Sequence, residues 1–159
     1  LISVEQSVGN AKRKSKMNET YISFYLRYNR IHVFTNALRE IGEPSRICFM
    51  IGENGHSLLM VPYKKRDFRS HYVPRDVYSG CDSMEINSMK LCRIIAFIHN
   101  WDVRKSYRVP GRICPDEQVV IFNLDGAAII NVVNNYGSRR LRSERDSDAE
   151  KQDSMPDHS

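Results

Sequence analysis

Arg30-Ile31-His32-Val33-Phe34-Thr35-Asn36-Ala37-Leu38-Arg39-Glu40-Ile41-Gly42-Glu43-Pro44 is the stretch from which the rest of the chain is read. Ile31 and Val33 alternate with larger polar or boundary neighbours, the period of a half-buried strand. Thr35 stands where an N-cap belongs, and Ala37, Leu38 and Ile41 follow at helical spacing. Gly42 with Pro44 stops the helix after about two turns. Beyond it Ile47, Phe49 and Ile51 alternate with Cys48 and Met50, Asn54-Gly55 offers the positive φ angles of a tight hairpin turn, and residues 58–61 return. The expected unit is strand, short helix, hairpin.

The unit recurs. Met84, Ile86, Ser88, Leu91 and Ile94 repeat the spacing of Ile31, Val33, Thr35, Leu38 and Ile41, with a hydroxyl residue again ahead of the helix. The second helix is expected to be longer and buried, with Leu91, Ile94, Ile95 and Ile98 as its stripe, widened by Ala96 and Phe97. Its hairpin runs through residues 107–113 and 119–122, bridged by Pro115-Asp116-Glu117. A strand beginning at Tyr21 precedes the first unit, with Ile22, Phe24 and Leu26 on one face. Between the units lies a basic loop, Lys64, Lys65, Arg66 and Arg69 around Phe68, then a short strand near His71. Residues 127–133 fit a helix and a strand equally.

The pattern gives an α+β, mostly β fold: tandem strand-helix-hairpin repeats at about 21–63 and 71–124, within one domain at 20–134. Residues 1–19 carry Lys12, Arg13, Lys14 and Lys16 without an apolar period, and residues 135–159 are charged and serine-containing, so both are expected to be disordered. Leu1, followed by a polar stretch up to Met17, fits a fragment, an unusual start codon or an extension upstream of the true start. The formal charge of +5 and a pI near 9.1 point toward a polyanionic partner. No apolar run approaches the roughly 18 residues that span a bilayer, and no signal-peptide core leads the chain, so no membrane partner and a cytoplasmic location are expected.

Chemistry is sparse. Cys48, Cys81, Cys92 and Cys114 form no C-x-x-C pair and have no paired histidines, which encodes neither a metal site nor a redox motif. There is no glycine-rich phosphate loop, no nucleophile-base motif and no cluster of carboxylates, so neither catalytic residues nor a cofactor are expected. His32 and His99 read as surface or boundary histidines, and Trp101 as core. Basic residues, by contrast, gather around the turns: Arg27 and Arg30 at the first, Arg39 and Arg46 around the short helix, Arg104, Lys105 and Arg108 in the second repeat.

At Arg30-Ile31-His32-Val33, Leu38-Arg39-Glu40-Ile41-Gly42 and the hairpin across Asn54-Gly55 to Leu59-Met60-Val61-Pro62, the chain resembles the AbrB-like swapped-hairpin family (AbrB, MazE, SpoVT) of bacterial DNA-binding regulators and antitoxins. The tandem copies look like the arrangement in the cell-division regulator MraZ. The chain is also similar to small proteins of anaerobic gut bacteria and their mobile elements, a kinship that implies no activity. Phe34 stands at the family's proline position, one extra residue separates Arg30 from Arg39, and the second copy lacks an arginine equivalent to Arg30. The resemblance implies an interdigitated β barrel with Arg30, Arg39 and Arg46 facing DNA. With the basic loop, the candidate nucleic-acid-binding set is Arg30, Arg39, Arg46, Lys64, Lys65, Arg66 and Arg69. A DNA-binding transcriptional or mobile-element regulator, with room for a homodimer, is the leading expectation. The alternative is an antitoxin-like or replication-accessory module that binds another protein.

Overall fold

A computed structural model describes residues 18–130. The tail expected at 135–159, and the arm expected at 1–19 apart from its last two residues, lie outside the described residues. Order begins before Tyr21, because Glu19 and Thr20 already belong to the first strand. In chain order the elements are β1 (Glu19–Tyr25), β2 (Arg30–Phe34), α1 (Thr35–Glu40), β3 (Arg46–Ile51), β4 (Ser57–Pro62) and β5 (His71–Tyr72). They continue with β6 (Ser83–Asn87), α2 (Met89–His99), β7 (Ser106–Cys114), β8 (Val119–Asn123) and β9 (Ala128–Ile130). Single 3-10 turns occupy Leu26–Tyr28, Arg75–Ser79 and Leu124–Gly126.

All the strand pairs are antiparallel, in the order β5-β3-β4-β8-β7-β1-β2-β6, with β9 added to β7. The sheet curls into a nearly closed barrel. The repeats β2-α1-β3-β4 and β6-α2-β7-β8 share one topology and interlock. β1, which leads into the first repeat, pairs with β7 of the second, and β5, which leads into the second, pairs with β3 of the first. The equivalent strands β2 and β6 lie side by side, Ile31 facing Ile86 and Val33 facing Met84, as do β4 and β8, Leu58 facing Phe122. Exchanging the repeats maps this strand order onto itself, so an internal two-fold runs through both pairs. A β5–β6 ladder equivalent to β1–β2 would close the barrel. β5 has two residues where β1 has seven, and Pro74 has no N–H for a ladder, so a seam remains there.

The helices obey the same exchange. The end of α1 meets the second hairpin, where Gly42 lies against the Gln118 side chain, and the end of α2 meets the first, where Gly55 lies against Ile98. His99 Nε2 donates to the Gly55 carbonyl at 2.7 Å. Inside the barrel Ile22, Phe24, Ile31, Leu58, Met60, Val109, Val120 and Phe122 are fully buried. Gly111 leaves room for the Phe122 ring beside it, which a Cβ would strike. Trp101 packs on the core, edge-on to Phe24 at 5.7 Å and stacked on Tyr107 at 4.4 Å. Cys48 and Cys92 are buried free thiols, and burial pushes the Cys92 thiol up to about 12.

Two local expectations change, and one that was open is decided. Thr35 is the first helical residue, not a side-chain cap. Its amide donates to the Asp82 carbonyl at 2.8 Å, and its buried Oγ1 has no partner among the described residues. The Ser88 amide makes the matching bond to the Asn29 carbonyl at 3.0 Å. Ser88 does cap α2, accepting from Leu91 N at 3.3 Å. The first hairpin loop is wider than Asn54-Gly55 alone: Gly55 N donates to Gly52 O, Gly52 N donates to Ser57 O, both at 2.8 Å, and only Gly55 of that pair has positive φ. In residues 127–133, Ala128–Ile130 is strand β9, and 131–133 lie outside the described residues.

The largest change concerns α2. Cys92, Ile95 and Ala96 are buried, whereas Ile94, Phe97 and Ile98 are 39%, 88% and 45% exposed. α2 packs through one narrow stripe, so the width of its apolar face in sequence reflects composition rather than burial. Ile95→Ala is expected to cost about 2–5 kcal/mol by chemical denaturation, the range for truncating a packed aliphatic side chain. Phe97→Ala is expected to stay within roughly 0.5 kcal/mol of the parent, because its ring has almost no packing to lose.

Candidate nucleic-acid interface

The loop between β4 and β5 is built on one carboxylate that composition did not single out. Tyr63 is tied to β3 by its amide, which donates to Arg46 O at 2.9 Å, and its hydroxyl donates to Asp67 Oδ2 at 2.6 Å. Asp67 Oδ1 accepts from Arg69 N at 2.9 Å, while Asp67 O accepts from Ser70 N at 3.1 Å and Ser70 Oγ at 2.9 Å. Arg46 Nη1 then donates to Ser70 Oγ at 3.2 Å. The Asx-type turn folds residues 63–70 back on the start of β3, which places Arg46 beside the loop although it lies far upstream in sequence.

Charge and aromatic surface interleave there. The Arg69 guanidinium lies 5.5 Å from the Tyr63 ring centre and 5.9 Å from that of Phe68, and Arg46 lies 5.6 Å from Tyr72. Lys90, from the first turn of α2, places Nζ 5.7 Å from Phe68. These are cation–π distances. Phe68 is 85% exposed and Tyr72 57%. Lys64, Lys65 and Arg66 are exposed and have no ion-pair partner among the described residues. The Tyr63 hydroxyl, and then the Arg69 amide and guanidinium, hold the Asp67 carboxyl below the usual carboxylate range against some desolvation. The same bond raises the Tyr63 phenol.

Of the candidate set, Arg46, Lys64, Lys65, Arg66 and Arg69 thus come together, while Arg30 and Arg39 do not join them. Arg30 is ion-paired with Glu85 across β2 and β6, and Glu85 also accepts from His32 Nε2 at 2.9 Å. Burial, and then the Arg30 charge, lower the His32 pKa below its ordinary value. Arg39 Nη2 donates to the Tyr78 carbonyl at 3.1 Å, beside a cleft of about 340 Å³ lined in part by Tyr21, Phe34 and Asp82. Ser23, His32 and Glu85 form a hydroxyl-imidazole-carboxylate row across β1, β2 and β6, but Ser23 is fully buried and hydrogen-bonded to Arg108, which closes its oxygen to a substrate. No group of three or more His, Cys, Asp or Glu side chains among the described residues is arranged to hold a metal ion.

Two cations escaped the candidate set. Lys90 reaches the loop only through tertiary packing. Arg108 was legible as a basic residue of the second repeat, and aligning the two hairpins makes it the counterpart of Arg46. Its Nε donates to Ser23 Oγ at 3.4 Å and its guanidinium lies 5.9 Å from both Tyr21 and Phe34. Each arginine therefore crosses a serine and a tyrosine two positions apart, Ser70 and Tyr72 for Arg46, Tyr21 and Ser23 for Arg108.

Comparison with protein-family models, with curated proteins and with solved structures returns no match. No helix among the described residues is long and apolar enough to cross a membrane.

The loop anchor is open to a direct check. Asp67→Ala removes the acceptor of Tyr63 and Arg69, so amide exchange at Arg69 and Ser70 is expected to accelerate while exchange in β7 and β8 stays slow. Because the folded pKa of Asp67 is depressed, its anchoring is present above the ordinary carboxylate pKa and fades as pH falls through the lowered value. In an NMR titration the Arg69 amide should keep its shift until the pH falls below about 4, whereas amides next to His71, whose pKa burial lowers from its ordinary value, should move earlier.

Proposed function

We propose that the chain is a cytoplasmic DNA-binding regulator, transcriptional or associated with a mobile element, that holds the phosphate backbone through the β4–β5 loop. The observation that carries this reading is the convergence of Arg46, Lys64, Lys65, Arg66 and Arg69 on a loop pinned by Asp67. Lysine and arginine reach of this kind positions a protein on nucleic acid through counterion release and carries no base code. The net charge of +5 favours the same class of partner, and so does the resemblance to AbrB-like regulators. Arg30 and Arg39 take a lesser part in this reading, since each already has an acceptor within the chain.

Salt dependence tests the proposal. Affinity for a duplex, measured by fluorescence anisotropy, should fall linearly on a log-log salt plot, and each phosphate contact removed should lower the slope by roughly 0.9. Lys64→Ala with Lys65→Ala should flatten it by nearly 2 without changing the thermal midpoint. Salt-independent binding, or none by the folded protein, would reject the reading.

A protein-interaction module is the second reading, favoured by the outer face of α2. Ile94, Phe97 and Ile98 form a largely open apolar surface among the described residues, and such surfaces mark contacts between proteins. A second copy of the chain is the occupant tested first: sedimentation should show an associated species that Phe97→Asp converts to monomer.

A further inference from the structure

Phe68 and Phe97 are the most exposed large apolar side chains of the described residues, at 85% and 88%. Phe68 lies between Arg69 and Lys90, with Lys90 Nζ 5.7 Å and the Arg69 guanidinium 5.9 Å from its ring centre. Lys90 and Phe97 are seven residues apart on α2, which places them on one face about 10 Å apart along the axis. Arg93 is exposed on the same side, and α2 contains neither Asp nor Glu. Arg69, Lys90 and Arg93 thus lie between two open rings, one on the β4–β5 loop and one on the exposed face of α2.

A duplex offers phosphates to such a track but keeps its base faces stacked, so an exposed phenylalanine, with no hydrogen bond to give, gains little from it. An unpaired strand offers phosphates and base faces alternately. Resting on the reading that the β4–β5 loop binds nucleic acid, we infer that its preferred ligand is a single strand, whose bases stack on Phe68 and Phe97 while Arg69, Lys90 and Arg93 take the intervening phosphates. The shared chemistry is unpaired base plus phosphate, which single-stranded DNA and RNA both supply.

The experiment is fluorescence anisotropy on the full chain with three labelled probes of equal length: oligo-dT, oligo-U and a blunt mixed-sequence duplex. The parent should bind one or both single strands more tightly than the duplex, and the order of oligo-dT and oligo-U identifies the natural source. Phe68→Ala and Phe97→Ala should each weaken single-strand binding by roughly five- to 150-fold, the range for losing one stacked base, and weaken duplex binding much less. Both rings are solvent-facing, so an unchanged circular dichroism melt should accompany the loss. Duplex bound as tightly as single strands, with either variant neutral, would overturn the inference and leave the phosphate-binding reading standing. A Phe68→Ala loss as large on duplex as on single strand would overturn it in favour of an aromatic wedge between base pairs. Binding of no probe by the folded parent would reject the underlying reading itself.

Discussion

The ladder between β1 and β7 is the constraint on which the barrel depends. It joins Glu19 to Arg112 at one end and Tyr25 to Ser106 at the other, so the strand that leads into the first repeat pairs with the second. Neither repeat possesses this pairing alone. Without it the backbone groups that β1 and β7 turn toward each other would lose their partners, and Ile22, Phe24 and Val109 would lose the interior that they fill together. The exchange also sets the helix ends, because each helix stops against the hairpin of the other repeat. A unit of one short helix and one hairpin becomes stable by being half of something larger.

The two halves then diverge where the ladder is shortest. β5 is reduced to His71 and Tyr72, and the chain leading to it is free of sheet pairing from residue 64 to residue 70. A free segment must satisfy its own polar groups, and Asp67 does this through Tyr63, Arg69 and Ser70. The same freedom lets charge accumulate without opposing a packed face. In the equivalent place the second repeat lays β9 along β7, pairing Ala128 with Arg108, and residues 124–130 contain no Lys or Arg.

Polar groups in the barrel wall show how far side chains outside the interior are nevertheless held. Ser23 and Tyr25 occupy the outer face of β1, yet both are buried, Ser23 hydrogen-bonded to Arg108 and Tyr25 packed edge-on to His32 at 4.8 Å. Burial raises the Tyr25 phenol, partly opposed by the Arg108 charge. Arg30 and His32 meet on Glu85 in the same wall. These arginines are structural parts of the sheet surface, whereas Lys64, Lys65 and Arg66 are exposed and have no ion-pair partner among the described residues.

Sequence by itself determined the repeated strand-helix-hairpin order, the mostly β class, the position of the basic loop and the burial of Ile31, Val33, Ile47 and Ile95, because local periodicity, turn residues and charge density act over a few neighbouring positions. It did not determine the exchange of β1 and β5 between repeats, since a strand's alternation states which face is buried and not which strand lies alongside. The exposure of Ile94, Phe97 and Ile98 belongs to the same class, for a wide apolar helix face looks alike whether it meets a barrel on one side or on both. Asp67 as the loop anchor, and Lys90 brought to Phe68 from a distant helix, were likewise invisible: an isolated carboxylate and an isolated lysine acquire those roles only through contacts made across the fold. Arg30 and Arg39 read as free basic residues for the same reason. Their acceptors, Glu85 and the Tyr78 carbonyl, lie far along the chain and arrive only when the second repeat folds against the first.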